Sequence, residues 1–262
     1  MTYETLNFDI ADNIATITLN RPDNANALNA RMAEEIHEVS IECDTNPDIR
    51  CVVMTATGKL FCGGGDLAEM DAAGDRQEAH LLKMATLLHA GVIRLSKMDA
   101  PLIVAVNGTA GGGGFSLVLA GDYVISSDKA KFISAYTASA LTPDGSSTYF
   151  LAKHVGLLRA KELQMTNRML TADEACDWGM VSRVVPHDDL MDEAMKMARK
   201  FAGGPTAAYG GVKRLALTAF SGEMEAQLDK ESISISSLMR GHDAPHGIKS
   251  FLHKEKPDFK GG

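Results

Sequence analysis

Residues 101–120 read PLIVAVNGTAGGGGFSLVLA. The unbroken apolar run at 101–106 has the pattern of a strand buried on both faces, as strands of parallel sheets are. Asn107 and Gly108 break the run, and the glycines at 111–114 open a short apolar helix expected over 115–120. The same order occurs once before. CVVMTA (51–56) predicts a buried strand, which leads through 57–61 to Cys62, Gly63, Gly64, Gly65 and Asp66 and then to a turn of helix. Two strands that each end in glycines and open a helix call for an α/β architecture with parallel strands.

Upstream, apolar and polar residues alternate in two runs, Leu6, Phe8, Ile10 and then Ile14 to Leu19. Asp12 and Asn13 between them suit the tight turn of a hairpin. Met32, Ile36, Val39 and Cys43 recur at helical spacing behind Asn29, a natural N-cap, with Pro47 beyond the end. A long amphipathic helix is predicted over 76–97, its stripe formed by Leu81, Met84, Ala85, Leu88, Val92 and Leu95. Short strands follow at 123–126 and 131–133. Past Pro143 the pattern is helical, at 146–154, 159–165, 172–178, 188–201 and 205–220, interrupted by one strand at 181–185. The division expected is a core over 1–203 and a helical region over 204–262, parted at Gly203, Gly204 and Pro205.

Composition narrows the function. The 262 residues are 45% hydrophobic and 23% charged, too apolar and too sparsely charged for a disordered chain. No apolar run approaches the roughly 20 residues that span a bilayer, and the first twenty residues lack the plan of a secretory signal. A net charge of −8 argues against nucleic acid as partner. Cys43, Cys51, Cys62 and Cys176 show no metal-ligand spacing and suit a reducing cytoplasm, the expected location. Nor do the eight histidines show metal spacing, and no metal is expected. His242, His246 and His253 read as surface residues of a loop-rich tail.

Each glycine cluster has two readings. As tight turns they serve close packing only. As ends of helices they present unpaired N–H groups, and two such ends facing one point form an oxyanion hole for a carbonyl that gains charge. Neither cluster has the GxGxxG register of a dinucleotide site, and no phosphate-loop lysine follows. Cys62 reads as a small packing residue, since no partner histidine is implied beside it.

Taken together, RPDNANALN (21–29), FCGGGDLAEM (61–70), PLIVAVNGTAGGGGFSLVLAGD (101–122) and LTADEACDWGMVSRVVP (170–186) resemble the crotonase, or enoyl-CoA hydratase/isomerase, superfamily. The resemblance spans nearly the whole chain. It implies an α/β fold, a ββα spiral core with a C-terminal helical trimerisation region, and an acyl-CoA thioester as substrate. Coenzyme A then arrives as part of the substrate, with no permanently bound cofactor, and a homotrimer or dimer of trimers is expected. The family's oxyanion amides fall on Gly65 and Gly113. Ala25, Ala27, Leu28, Gly65, Asp66, Leu67 and Ala68 would line the CoA path, and Phe251 and Lys254 would reach its nucleotide across a subunit interface.

The chain departs from the family's hydratases at two points. Where they carry two glutamates around the added water, it has Ser116 and Tyr136. Adding water needs a base for the water and an acid for carbon, so the resemblance points away from hydration. Ser116 and Tyr136 become pocket residues, Tyr136 with a packing role equally open. Asp144 matches an aspartate used by isomerase-like members and by the 4-chlorobenzoyl-CoA dehalogenase branch. One carboxylate suffices for a double-bond shift, so isomerisation with Asp144 as acid/base is the expected activity. Dehalogenation with Asp144 as nucleophile and His89 as its histidine is the alternative, although the branch's tryptophan and first oxyanion phenylalanine fall on Tyr136 and Gly65. An atypical hydratase and a non-catalytic acyl-CoA binder also remain. His89 reads equally as a packed helix residue, and Asp144 as the cap of the helix that follows it.

Overall fold

The computed structural model describes residues 3–262. Strands β1 (Leu6–Ala11) and β2 (Ile14–Leu19) form the expected hairpin. Asp12 and Asn13 both adopt left-handed backbone, with φ of 52° and 62°, which short polar side chains tolerate and a twisted two-residue turn demands. Helix α1 (Ala30–Thr45) is capped as predicted, the Asn29 side chain accepting from the Met32 N–H at 2.8 Å.

Three units with one plan follow, each a long strand, a short strand and a helix. They are β3 (Cys51–Ala56), β4 (Leu60–Cys62) and α2 (Leu67–Ala72), extended by α3 (Gln77–Lys97); β5 (Leu102–Val106), β6 (Thr109–Gly111) and α4 (Gly113–Leu119); and β7 (Tyr123–Ser127), β8 (Lys131–Ile133) and α5 (Ser147–Val155). The remainder comprises α6 (Leu157–Thr166), β9 (Leu170–Thr171), α7 (Ala172–Asp177), β10 (Arg183–Val185), α8 (Leu190–Ala202), α9 (Thr206–Thr218), α10 (Met224–Ser237) and α11 (Asp243–His253).

The long strands build one sheet in the order β1-β2-β3-β5-β7-β10, parallel from β2 onward. The short strands build a second, β4-β6-β8-β9. Buried strands explain the apolar runs, since every residue of LIVAV in β5 is buried. Helix α3 lays Met84, Leu88, Val92 and Leu95 into the core against α1, so the predicted stripe is real.

Boundaries differ from the sequence reading by one or two residues, most usefully at α4, which starts at Gly113 instead of Phe115. A larger correction concerns the C-terminus. The tail expected to be loop-rich contains α10 and α11, and His246 and His253 lie on α11 with His242 at its N-terminus. Pro245 hid this helix, yet it sits in the first turn, where proline is tolerated. His246 is not simply a surface group: its Nε2 accepts from the Asp258 N–H at 3.0 Å and its ring stacks on His242. Helix α9 is fastened to the core by Lys213, a buried ammonium that donates to the Leu95 and Ala100 carbonyls and to Asp122. Among the described residues, no helix is long and apolar enough to cross a membrane.

Candidate active site

A cavity of about 560 Å³ opens between the two glycine turns, α3 and the segment that precedes α5. Its glycine side is fixed by the second sheet. β4 pairs with β6 in parallel, Leu60 beside Thr109 and Cys62 beside Ala110, so the turns that leave these strands run side by side. They touch through backbone: a Cβ on Gly64 would lie 3.3 Å from the Gly111 carbonyl oxygen. Gly64 and Gly112 have φ of 115° and 47°, conformations other residues rarely adopt.

The loop at 25–28 is laid against the first turn. Gly63 N–H donates to Ala25 O, Leu28 N–H to Gly64 O, and Asp66 N–H to Leu28 O, at 2.7–2.8 Å. Buried Asn26 holds that loop in shape, donating to the Thr57 and Leu60 carbonyls and accepting from the Arg21 N–H. Gly65 and Gly113 both line the cavity. Neither N–H donates to any group among the described residues, and Gly113 is the first residue of α4, where helical amides lack partners. Both strand–glycine turns therefore leave an amide available.

The opposite side is built from side chains. Asp144 lies just before α5 and does not cap it, since the helix has no side-chain cap bond at all. Asp144 instead lines the cavity. Tyr136 Oη–H donates to Asp144 Oδ1 at 2.7 Å, and His89 Nε2 lies 3.1 Å from Oδ2. Ser116 Oγ stands 2.8 Å from Tyr136 Oη and 2.9 Å from the Asp144 carbonyl oxygen. Burial, and after it the Asp144 carboxylate, push the Tyr136 phenol far above its ordinary value, so it keeps its proton and remains a donor.

Other expected residues are placed less uniformly. Ser116 is 1% exposed and does not line the cavity; it backs Tyr136 and Asp144 from behind, which corrects its assignment to the pocket wall. His89 also stands behind Asp144. Along the expected CoA path, Leu28, Gly65 and Leu67 line the cavity, while Ala25, Ala27, Asp66 and Ala68 do not. The Asp66 carboxylate is occupied elsewhere, pairing with Arg21 at 3.0 Å and capping α2 through the Glu69 N–H at 3.2 Å. Phe251 is exposed on α11 and Lys254 follows its end; neither reaches the cavity of this chain. Cys62 is a packing residue as read: a Cβ on Gly114 would come within 2.5 Å of its Cβ and carbonyl oxygen.

Residues 9–262 match the family model described as enoyl-CoA hydratase/isomerase. The chain belongs to the enoyl-CoA hydratase/isomerase family. It is an enzyme of that family, whose members act on acyl-CoA thioesters. It is 34% identical over 250 residues to the 1,2-epoxyphenylacetyl-CoA isomerase of Escherichia coli K12, covering 95% of each chain. To 4-chlorobenzoyl coenzyme A dehalogenase-2 of an Arthrobacter species it is 34% identical over 237 residues, 90% of this chain and 84% of that one. Among solved structures it is similar to an enoyl-CoA hydratase from Bacillus anthracis, with a TM-score of 0.91 and 29% identity over 99% of this chain and 100% of that chain. The crotonase fold expected from the motifs is the fold observed.

Sequence reasoning missed much of the family member's cavity wall. Met70, Glu78, Leu82, Leu141 and Thr142 all line it. The available signal was in α3, whose apolar stripe is wider than a core face needs. Leu82 lies just outside that stripe and is 67% exposed toward the opening.

Proposed function

We propose that the protein is an isomerase that shifts a carbon–carbon double bond in an acyl-CoA thioester, with Asp144 as its single acid/base. One observation carries this reading: among the described residues that line the cavity, Asp144 is the carboxylate beside the Gly113 turn, since a Cβ on Gly113 would lie 4.0 Å from the Tyr136 hydroxyl that donates to Asp144. The cavity's other carboxylate, Glu78, is exposed and eleven residues before His89 on the same helix, hence about 16 Å along the axis from the histidine that contacts Asp144. Two carboxylates that far apart do not share one water, which is what hydration requires.

In this mechanism the thioester oxygen accepts from the two glycine N–H groups. Asp144 takes a proton from C2 of a 3-enoyl group, and the electron pair moves onto the thioester oxygen as an enolate. The amides stabilise that charge where it develops. The Asp144 acid then returns a proton to C4, leaving the 2-enoyl thioester with no atoms gained or lost. Walls of Leu28, Leu67, Met70, Leu81, Leu82 and Leu141 favour an apolar acyl group. Coenzyme A is bound only as part of the substrate. Assembly as a homotrimer or dimer of trimers belongs to the same proposal, supported by exposed apolar side chains such as Met224, Ile235 and Phe251 on the C-terminal helices.

The test is to supply a 3-enoyl-CoA in D₂O and follow products by NMR and mass spectrometry. Formation of the 2-enoyl isomer with deuterium at C2 or C4, and no 3-hydroxy product, is expected. A 3-hydroxy product, or no reaction with any 3-enoyl chain length, overturns the reading. The His89–Asp144 contact also supports a second reading, displacement of halide from a 4-halobenzoyl-CoA with Asp144 as nucleophile. Halide release from that thioester would replace isomerisation as the activity.

A further inference from the structure

Asp144 is held by two different kinds of partner. Tyr136 offers Oδ1 a proton that its displaced phenol does not give up. On the other oxygen the partner is fixed by a third group. The Gly145 N–H donates to His89 Nε2 at 3.0 Å, and a backbone N–H can only donate. That bond requires a lone pair on Nε2, which puts the proton of a neutral ring on Nδ1. Oδ2, 3.1 Å away, therefore faces an acceptor whose single lone pair the Gly145 N–H holds, and a proton on Oδ2 takes that lone pair in place of the Gly145 N–H.

The carboxyl is thus matched to both its states, a donor waiting at Oδ1 and an acceptor at Oδ2. His89 is 39% exposed at its side chain, and Nδ1 makes no hydrogen bond among the described residues, so the far side of the ring is open to solvent. From this geometry we infer that His89 is the proton outlet of the site: the proton Asp144 abstracts comes to rest on Oδ2, passes to Nε2, and leaves from Nδ1 to water. The steps balance. Carbon loses a proton to Oδ2, Nε2 gains it as the Gly145 N–H lets go of its lone pair and Nδ1 gives its own proton to water, and Asp144 is reprotonated by the reverse path, which restores the Gly145 bond. His89 touches no substrate atom and acts through Asp144, so it is a positioning and relay residue. The inference rests on the isomerase reading and adds a consequence to it: the hydrogen delivered to C4 comes mainly from solvent.

The experiment uses a 3-enoyl-CoA carrying deuterium at both C2 positions, in ordinary water, with the wild-type enzyme, His89→Gln and His89→Phe. Gln keeps an acceptor beside Oδ2 but cannot relay a proton, and Phe removes the acceptor. Mass spectrometry of early product gives the fraction whose C4 retains substrate deuterium. Wild type is expected to retain little, and His89→Gln about threefold more or beyond, with kcat lowered about tenfold and thioester Kd nearly unchanged. His89→Phe is expected to lose more kcat than His89→Gln. Equal retention in wild type and His89→Gln overturns the outlet while leaving the isomerase standing. Absence of isomerisation in wild type overturns the isomerase and the outlet with it. Because the side chain is part-exposed, both variants are expected to fold, and circular dichroism confirms that the comparison is between folded proteins.

Discussion

The two sides of the cavity are made of different material. One side is main chain, the Gly65 and Gly113 amides carried on strands three residues long that lie in a common sheet. The other is side chain, gathered from α3, α4 and the segment at 136–145: His89, Ser116, Tyr136 and Asp144. In the proposed mechanism the first side, set by the fold, serves any acyl thioester whose carbonyl gains charge, and the second decides which proton or atom moves. A chain can therefore keep the fold and change the chemistry by replacing a few side chains, and Ser116 is an example. Its hydroxyl stands 2.9 Å from the Asp144 carbonyl oxygen and 2.8 Å from the Tyr136 hydroxyl, two contacts that a glutamate in its place would have to displace.

If the division is right, removing the acting side chain spares binding. Asp144→Ala is expected to lower turnover by about 10²–10⁴-fold while isothermal titration with a CoA thioester finds Kd within a few-fold. A loss of binding as large as the loss of rate breaks the division, because it would make Asp144 part of the binding surface. Tyr136→Phe sharpens it on the same side. Removing one charge-assisted donor costs about 1.5–3 kcal/mol, so kcat is expected to fall by one to two orders of magnitude with KM unchanged. A matching rise in KM would instead place the phenol in substrate binding.

On the backbone side the expected effect is on folding. Gly114→Ala puts a methyl against the Cys62 carbonyl at the start of α4, where backbone must move. Overpacking of this kind costs about 1–3 kcal/mol, to be read from urea unfolding. Turnover should fall with it, since Gly113 immediately precedes Gly114 at the same helix start. Unchanged stability would show that the turn is looser than its contacts indicate.

The two sides were unequally legible. The glycine turns announce themselves because strand, glycine and helix are consecutive, and the Asp12–Asn13 turn and the Asn29 cap are equally local. That the turns lie together depends on β4 and β6, each too short to carry an alternating pattern. The side-chain cluster joins residues up to 56 apart in sequence, as between Gly145 and His89. No periodicity encodes such contacts. The family resemblance located Asp144, Tyr136, Ser116 and His89, but did not reveal that Ser116 and His89 stand behind the wall. Glu78 and Leu82 carry no signal of their own because they lie off the apolar stripe of α3 and read as solvent-facing helix positions.

The smallest expected effect isolates the backbone side by its titration. Burial pushes the Cys62 thiol, in the first glycine turn, up to about 12, against about 8.5–9 for an exposed thiol. The folded protein thus keeps this proton at pH values where the unfolded chain has lost it. The associated stability is fully present below about pH 9 and is lost as pH rises from there toward 12. Cys43 and Cys51 are displaced alike, and the Tyr136 phenol contributes in the same direction above pH 10, so only a difference measurement is specific. Between pH 8 and pH 10, the unfolding free energy of Cys62→Ala should fall by about 1.5 kcal/mol less than that of the wild type. Equal slopes would mean that the thiol is reached by solvent, and that the turn carrying the Gly65 amide opens in solution instead of holding the amide in place.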